Sequence, residues 1–238
     1  MPFRVVQLAA GRRQKQCYEE YNKVMKNIAF IINPMSGTQN KRRMPKLIME
    51  LLDKSQWLEN IVFSQQATQA TSLAKQYAMM GFDAVVAVGG DGTVHDVAQG
   101  LAGTHTALGI IPMGLTNTLA RHLGIPLRGN TAISWLNRSE PLQFDTLSVQ
   151  IDDKPAIVAL CELKAGEERV INCAHGVKTS IQDGIAEVAN GNNLKAGDSL
   201  QIDCNGSVMI DGDEYAAEQS VRVSILPDNL YILAPKRF

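Results

Sequence analysis

No apolar run in this 238-residue chain approaches the roughly 20 residues that a bilayer-spanning helix requires, so any membrane contact is peripheral. Aromatic residues make up only 5% of the chain and the formal net charge is −1. That leaves neither the stacking surface nor the basic field of a nucleic-acid-binding protein. Cysteine is equally sparse. Cys17, Cys161, Cys173 and Cys204 are widely spaced and form no C-x-x-C pair, which argues against a zinc site and a disulfide framework. Reduced structural thiols in a cytoplasmic protein are the reading that follows. Residues 1–25 form an N-terminal extension with Arg4, Arg12, Arg13, Lys15 and Lys23, broken by Glu19 and Glu20. It lacks the sustained apolar core of a signal peptide. Gln14 to Met25 reads as a surface helix, with a basic foot on an anionic membrane as the second reading.

What is present is an ordinary globular composition, 45% hydrophobic and 20% charged. Ile28 to Ile32 is a buried strand that leaves through Asn33-Pro34 into a loop, because proline pushes its predecessor towards extended geometry. Pro45 to Lys54 has helical spacing, with Leu47, Ile48, Leu51 and Leu52 on one face. Ile61 to Phe63 is a second strand. A helix capped by Thr68 then runs through Leu73 and Tyr77 and stops near Gly81. Ala84 to Val88 is a third strand, Val94 to Leu101 a helix, Leu108 to Ile111 a fourth strand, and Thr116 to Leu123 a further helix. Alternation of this kind predicts an α/β domain with a parallel sheet over residues 26–138. The texture changes near Arg138 to Pro141. Leu142–Ile151, Ala156–Lys164, Glu168–Cys173, Ser199–Cys204, Ser207–Asp211, Ser220–Leu226 and Leu230–Leu233 are strand-like. They predict a smaller all-β domain over residues 139–238.

The richest chemistry lies in Gly89-Gly90-Asp91-Gly92-Thr93, between the third strand and its helix. Three glycines permit close backbone approach by a ligand, and the helix turns its N–H groups and positive dipole end towards the loop, which suits phosphate. Asp91 puts a carboxylate where a phosphate would sit. That calls for an intervening cation, typically Mg²⁺, or for a ribose or a catalytic proton as its partner. Thr93 can cap the helix or donate to a phosphate oxygen. Read as structure alone, the segment is a tight turn with Asp91 as a cap.

Two further segments narrow the choice. Asn33-Pro34-Met35-Ser36-Gly37 resembles the Asn-Pro-x-Ser-Gly signature of the diacylglycerol and sphingosine kinase superfamily. Gly109 to Arg121, which includes Pro112-Met113-Gly114-Leu115-Thr116-Asn117-Thr118-Leu119-Ala120-Arg121, resembles that family's Pro-x-Gly-Thr-x-Asn-Asp-x-Ala-Arg segment. The order and spacing of the three blocks fit. The resemblance implies an N-terminal fold like that of NAD kinases and phosphofructokinases. It further implies ATP and Mg²⁺ as cofactors and a lipid alcohol as the acceptor, with peripheral membrane contact. Asn33, Ser36, Gly37, Thr38, Ser64, Thr68, Gly89, Gly90, Gly92, Thr93, Gly114, Asn117 and Arg121 would form the nucleotide side, with Asp91 near the metal or the phosphates. Arg121 reads equally as a solvent-facing helix residue.

Ile210-Asp211-Gly212-Asp213-Glu214 resembles the family's Asp-Gly-Glu turn, whose acid takes the acceptor's hydroxyl proton. Asp213 stands in for the usual glutamate and is one methylene shorter. By its residues alone the stretch is an Asp-Gly hairpin turn. The chain departs from the family pattern at Leu115, where threonine is usual, and at Thr118, where aspartate is usual. It also has only 34 residues between Gly176 and Asp211, where the family carries a longer lipid-facing wall and a structural metal site. An ATP-dependent lipid kinase is the leading expectation. A catalytically impaired nucleotide-binding homologue is the alternative, and an NAD kinase a third. His95 and His122 follow two of the loops and read as helix-surface residues.

Overall fold

The computed structural model describes residues 25–34, 41–65, 69–166, 168–171, 185–188 and 193–235. The helix expected at Gln14 to Met25 lies outside them except for Met25, as do the site residues Ser36, Gly37, Thr38 and Thr68.

Four parallel strands, β1 (Lys26–Ile32), β2 (Trp57–Phe63), β3 (Ala84–Gly89) and β4 (Ala107–Pro112), lie in the order β2-β1-β3-β4. Every residue of β3 and β4 is buried, as the unbroken apolar runs predict for strands covered on both faces. Helices α1 (Met44–Leu51), α2 (Gln69–Met79) and α3 (Asp91–Leu101) connect them, and α4 (Thr118–His122) and α5 (Gly129–Leu136) follow β4. Gly81, in the left-handed region at φ 77°, ends α2 where expected. The helix anticipated from Thr116 begins two residues later. Helix α5 has no counterpart in the sequence reading: it opens on Gly129 after Arg128, which makes no side-chain cap, yet it buries Ala132, Ile133 and Leu136.

From Ser139 onward every helix or strand among the described residues is a strand. The long β5 (Ser139–Ile151) and β6 (Ile157–Ala159) extend the first sheet, and β14 (Ser220–Pro235) inserts between β4 and β5. It runs parallel to β4 and antiparallel to β5. β11 (Ser199–Asp203) pairs with the far end of β14. A second, antiparallel sheet has the order β10-β9-β8-β7-β12-β13. Its strands are β7 (Glu162–Ala165), β8 (Glu168–Ile171), β9 (Ile185–Val188), β10 (Asn193–Lys195), β12 (Gly206–Ile210) and β13 (Asp213–Ala217). The architecture is thus an α/β part with mostly parallel strands followed by a smaller antiparallel sheet.

Strand β2 starts at Trp57 rather than Ile61 and β5 at Ser139 rather than Leu142, β9 and β13 have no counterpart in the sequence reading, and two expected segments differ in continuity. Ala156–Lys164 is two strands broken at Leu160-Cys161. The two strands expected on either side of Pro227 are one, because a bulge between Leu226 and Leu230 absorbs the proline. At that bulge the Asp228 N–H donates to Asp145 Oδ1 at 2.8 Å.

One apolar core packs β1, β3 and β4 against the helices. A second lies where Leu147, Val149, Val221 and Val223 of the first sheet meet Leu163, Val208 and Ile210 of the other. Helices α2 and α3 approach so closely that a Cβ on Gly100 would fall 2.4 Å from the Thr71 carbonyl oxygen and 2.8 Å from the Ala74 Cβ. Backbone in one helix cannot rotate away from such a clash. Gly100→Ala is therefore expected to lower stability by about 1–3 kcal/mol despite alanine's better helix propensity, and a urea midpoint at or above the wild-type value would contradict this packing.

Candidate active site

The four parallel strands end on one edge of the sheet, so their exit loops gather residues distant in sequence. Asn33 follows β1, Ser64 follows β2, Gly89 ends β3, and Gly114 and Asn117 follow β4. In the order β2-β1-β3-β4 the connections diverge on either side of the gap between β1 and β3, which is where open α/β sheets take their ligands. Asn33 bridges that gap. Its N–H donates to the Val88 carbonyl and its Nδ2 to Thr93 Oγ1, both at 3.3 Å. Ser64 is buried, with its N–H on the Ile32 carbonyl at 3.0 Å. The sequence reading missed Lys41, whose Nζ donates to the Asn33 carbonyl at 2.7 Å from a buried position that lowers its pKa. Nothing in the run Lys41-Arg42-Arg43 marks the first as the buried one.

The β3 and β4 exits touch through bare backbone. A Cβ on Gly114 would sit 2.6 Å from the Gly90 Cα, and one on Gly90 would sit 3.2 Å from the Gly114 Cα. Gly114 therefore requires glycine, and a Cβ on Gly90 would need the facing backbone to give by a few tenths of an ångström. Gly90 is the N-cap of α3, which starts at Asp91, so Thr93 sits inside the first turn rather than capping it. Asp91 caps the neighbouring helix. Its Oδ2 accepts the Asn117 N–H at 2.8 Å and its Oδ1 the Thr118 N–H at 2.6 Å, at the start of α4. Asn117 is left-handed at φ 49°, and its amide clasps Gly114, accepting that residue's N–H at 2.9 Å and donating to its carbonyl at 2.8 Å. Arg121 is exposed and folds back to donate from Nε to the Thr116 carbonyl at 2.7 Å.

The opposite wall comes from the β12–β13 hairpin. Asp211 and Gly212 form its two-residue turn, with φ 51° and 96°, as Asp-Gly turns favour. The Asp211 carboxylate accepts the N–H groups of Leu160, Cys161 and Glu162 at 2.6, 2.7 and 3.0 Å. That clasp breaks the predicted long strand at Leu160 and ties the hairpin to the β6–β7 corner. Burial raises the Asp211 pKa, against the pull of the backbone hydrogen bonds and of His95. Asp213, the first residue of β13, is thereby set over the glycine turn: a Cβ on Gly92 would lie 3.9 and 4.0 Å from its two carboxylate oxygens. A cavity of about 370 Å³ lies between the walls, with Asp91, Gly92 and Thr118 on one side and Leu160, Glu162 and Asp213 on the other.

His95 is not on the surface. It is 3% exposed, with Nδ1 3.4 Å from Asp213 Oδ2 and Nε2 2.8 Å from the Val158 carbonyl. The sequence reading failed here because β6 covers this face of α3, a long-range contact that leaves no local trace. His122 is half-buried. Asp96, next to His95, has its pKa pushed up to about 6 by burial, with His95 opposing and Asp213 reinforcing. Among the described residues no three His, Cys, Asp or Glu side chains converge as metal ligands. Nor is any described helix long and apolar enough to cross a membrane.

The family model for the diacylglycerol kinase catalytic domain matches residues 27–149. A diacylglycerol kinase of Bacillus subtilis (strain 168) is 36% identical over 104 residues, covering 43% of this chain and 34% of that protein. A diacylglycerol kinase of Staphylococcus saprophyticus is 34% identical over 104 residues, 42% of this chain and 34% of that protein. The matched stretch thus spans about a third of the length of these curated relatives. The crystal structure of a diacylglycerol kinase from Bacillus anthracis str. Sterne superposes with a TM-score of 0.70 at 17% identity, covering 89% of this chain and 97% of that one. At that identity the likeness is one of fold.

Asp96 keeps its proton in the folded protein up to about pH 6, whereas in the unfolded chain it ionises near the ordinary aspartate value of about 4. Between these values the unfolded state binds fewer protons, so stability falls as pH rises through the window and stays lowered above it. Asp96→Asn should therefore be more stable than wild type at pH 7.5 by on the order of 1 kcal/mol, a figure reduced for partial solvent screening, and should lose that advantage at pH 4. Urea titrations at the two pH values check it; an equal offset at both would contradict the assignment.

Proposed function

Because the chain belongs to the diacylglycerol kinase catalytic-domain family, we propose that it is a lipid kinase that transfers the γ-phosphoryl group of ATP to a lipid hydroxyl. Residues 26–138 take the nucleotide and residues 139–238 the acceptor. The observation that carries this reading is the Asp213 carboxylate, held from the second sheet directly over Gly92 of the glycine turn. An acid facing a phosphate turn across an open cavity is the arrangement that phosphoryl transfer to an alcohol needs.

The phosphates of ATP rest against Gly89, Gly90, Gly92 and Thr93, where the first-turn N–H groups of α3 lack intrahelical acceptors and the helix dipole is positive. Asn33, Ser64, Gly114, Asn117 and Arg121 shape the nucleotide side. The family resemblance adds Ser36, Gly37, Thr38 and Thr68. Each Asp91 oxygen accepts one backbone N–H and keeps a lone pair, which fits an ion whose remaining ligands arrive with the nucleotide. Mg²⁺ held there would neutralise phosphate charge. The acceptor oxygen bonds to the γ-phosphorus, the bond to the β–γ bridging oxygen breaks, and ADP leaves. The hydroxyl proton passes to Asp213. Leu115, 79% exposed beside Thr116, which lines the cavity, supports peripheral contact with a lipid surface.

Transfer of labelled phosphate from Mg²⁺–ATP to a panel of lipid alcohols in mixed micelles tests the reading. Asp213→Asn should lower kcat by about a hundredfold while the KM for ATP stays within about threefold. A wild-type kcat in that variant removes Asp213 from the base role. Saturable ATP binding with no transfer to any lipid would instead favour a nucleotide-binding homologue. Asp91→Asn should lose turnover and also about 1–3 kcal/mol of stability, because an amide N–H would then face one of the backbone N–H groups that the carboxylate accepts. A urea midpoint equal to wild type would count against that clasp.

A further inference from the structure

His95 is a buried titratable side chain that the phosphoryl-transfer scheme above leaves unused, and its partners are unusually restrictive. His95 Nε2 lies 2.8 Å from the Val158 carbonyl and 2.8 Å from the Gln99 Nε2 amide, one an acceptor and the other a donor, so β6 and Gln99 together fix the position of that nitrogen. The Gln99 amide is itself fixed. Its Oε1 accepts the Val158 N–H at 3.1 Å and its Nε2 donates to the Val158 carbonyl at 2.6 Å, which fixes β6 as the acceptor wall. The other ring nitrogen, Nδ1, faces Asp213 Oδ2 at 3.4 Å. A carboxylate only accepts, so this contact takes the ring proton on Nδ1, and the neutral ring then offers its Nε2 lone pair to the Gln99 N–H. The ring itself is fixed by burial on α3, whereas the Asp213 side chain is 52% exposed. An aspartate that exposed needs a partner to hold one rotamer.

Building on the reading of Asp213 as the proton acceptor, we propose that His95 is its positioning residue. The Nδ1–H holds Oδ2, which leaves Oδ1 directed at the acceptor hydroxyl above Gly92. The anchor runs from Val158 through the Gln99 amide and the imidazole to the carboxylate, so a strand of the extended first sheet fixes the orientation of an acid carried by the second. In this arrangement the shorter aspartate, found where the family has glutamate, is held by a side chain from the nucleotide-binding helix.

Two substitutions separate the ring's two contacts. An asparagine amide places an N–H near the Nδ1 position, so His95→Asn should keep the link to Asp213 and retain kcat within about threefold of wild type. A glutamine amide reaches the Nε2 position instead. His95→Gln should keep the Val158 contact and the fold, yet lower kcat about ten- to a hundredfold with little change in the KM for ATP. Equal losses in both variants, or a wild-type kcat in His95→Gln, would overturn the proposal. A second readout needs neither nucleotide nor lipid. Ring ¹⁵N spectra of the free protein should show the proton on Nδ1, with that signal altered by Asp213→Asn. The opposite tautomer, or a ring signal indifferent to Asp213→Asn, would overturn it too. Spectra of the expected form in a protein that transfers phosphate to no lipid would support the pairing while counting against the kinase reading.

Discussion

The site rests on one steric constraint, the contact of two backbones at Gly90 and Gly114. No side chain fits between the β3 and β4 exits, so the loops pack as bare peptide. That bareness leaves peptide N–H groups for others to satisfy. Asp91 and Asn117 do so, one from each loop. Asp91 takes the N–H groups that open α4, and Asn117 takes both backbone groups of Gly114. The motif residues are thus structural partners of one another before any ligand arrives. A preorganised turn of this kind spends no binding energy on ordering itself.

The other wall is held by a comparable device. Asp211 occupies a turn position that tolerates a left-handed backbone, and its carboxylate closes the β6–β7 corner through three N–H groups. Neighbouring acids in the same hairpin therefore divide the work, Asp211 fixing the hairpin and Asp213 facing the cavity. Their environments differ accordingly. Burial raises the pKa of Asp211, while Asp213 stays half exposed beside His95.

Much of this was legible in the sequence where the signal was local. Unbroken apolar runs identified β1, β3 and β4, glycine marked the end of α2, and the glycine turn was placed correctly between strand and helix. Asp-Gly read as a hairpin turn, and it is one. What escaped depended on contacts between distant segments. Helix α5 has no side-chain cap to mark its start, and the strand of Ala156–Lys164 is broken by a carboxylate some fifty residues away in sequence. Pro227 looked like a strand end but sits in a bulge, because β5 and β14 continue past it. Lys41 and His95 follow the same rule. Their burial comes from elements that pack on them, and a sequence window holds no record of those elements.

Strand β14 has a consequence for biosynthesis. It fills the place beside β4, pairing Tyr231 with Ala107, so until that late segment emerges from the ribosome β4 can only be an open, wholly apolar sheet edge. Such an edge is a template for pairing with other nascent chains. The α/β half is thus expected to depend on chaperones, or on slow elongation, while it waits for the strand that completes it.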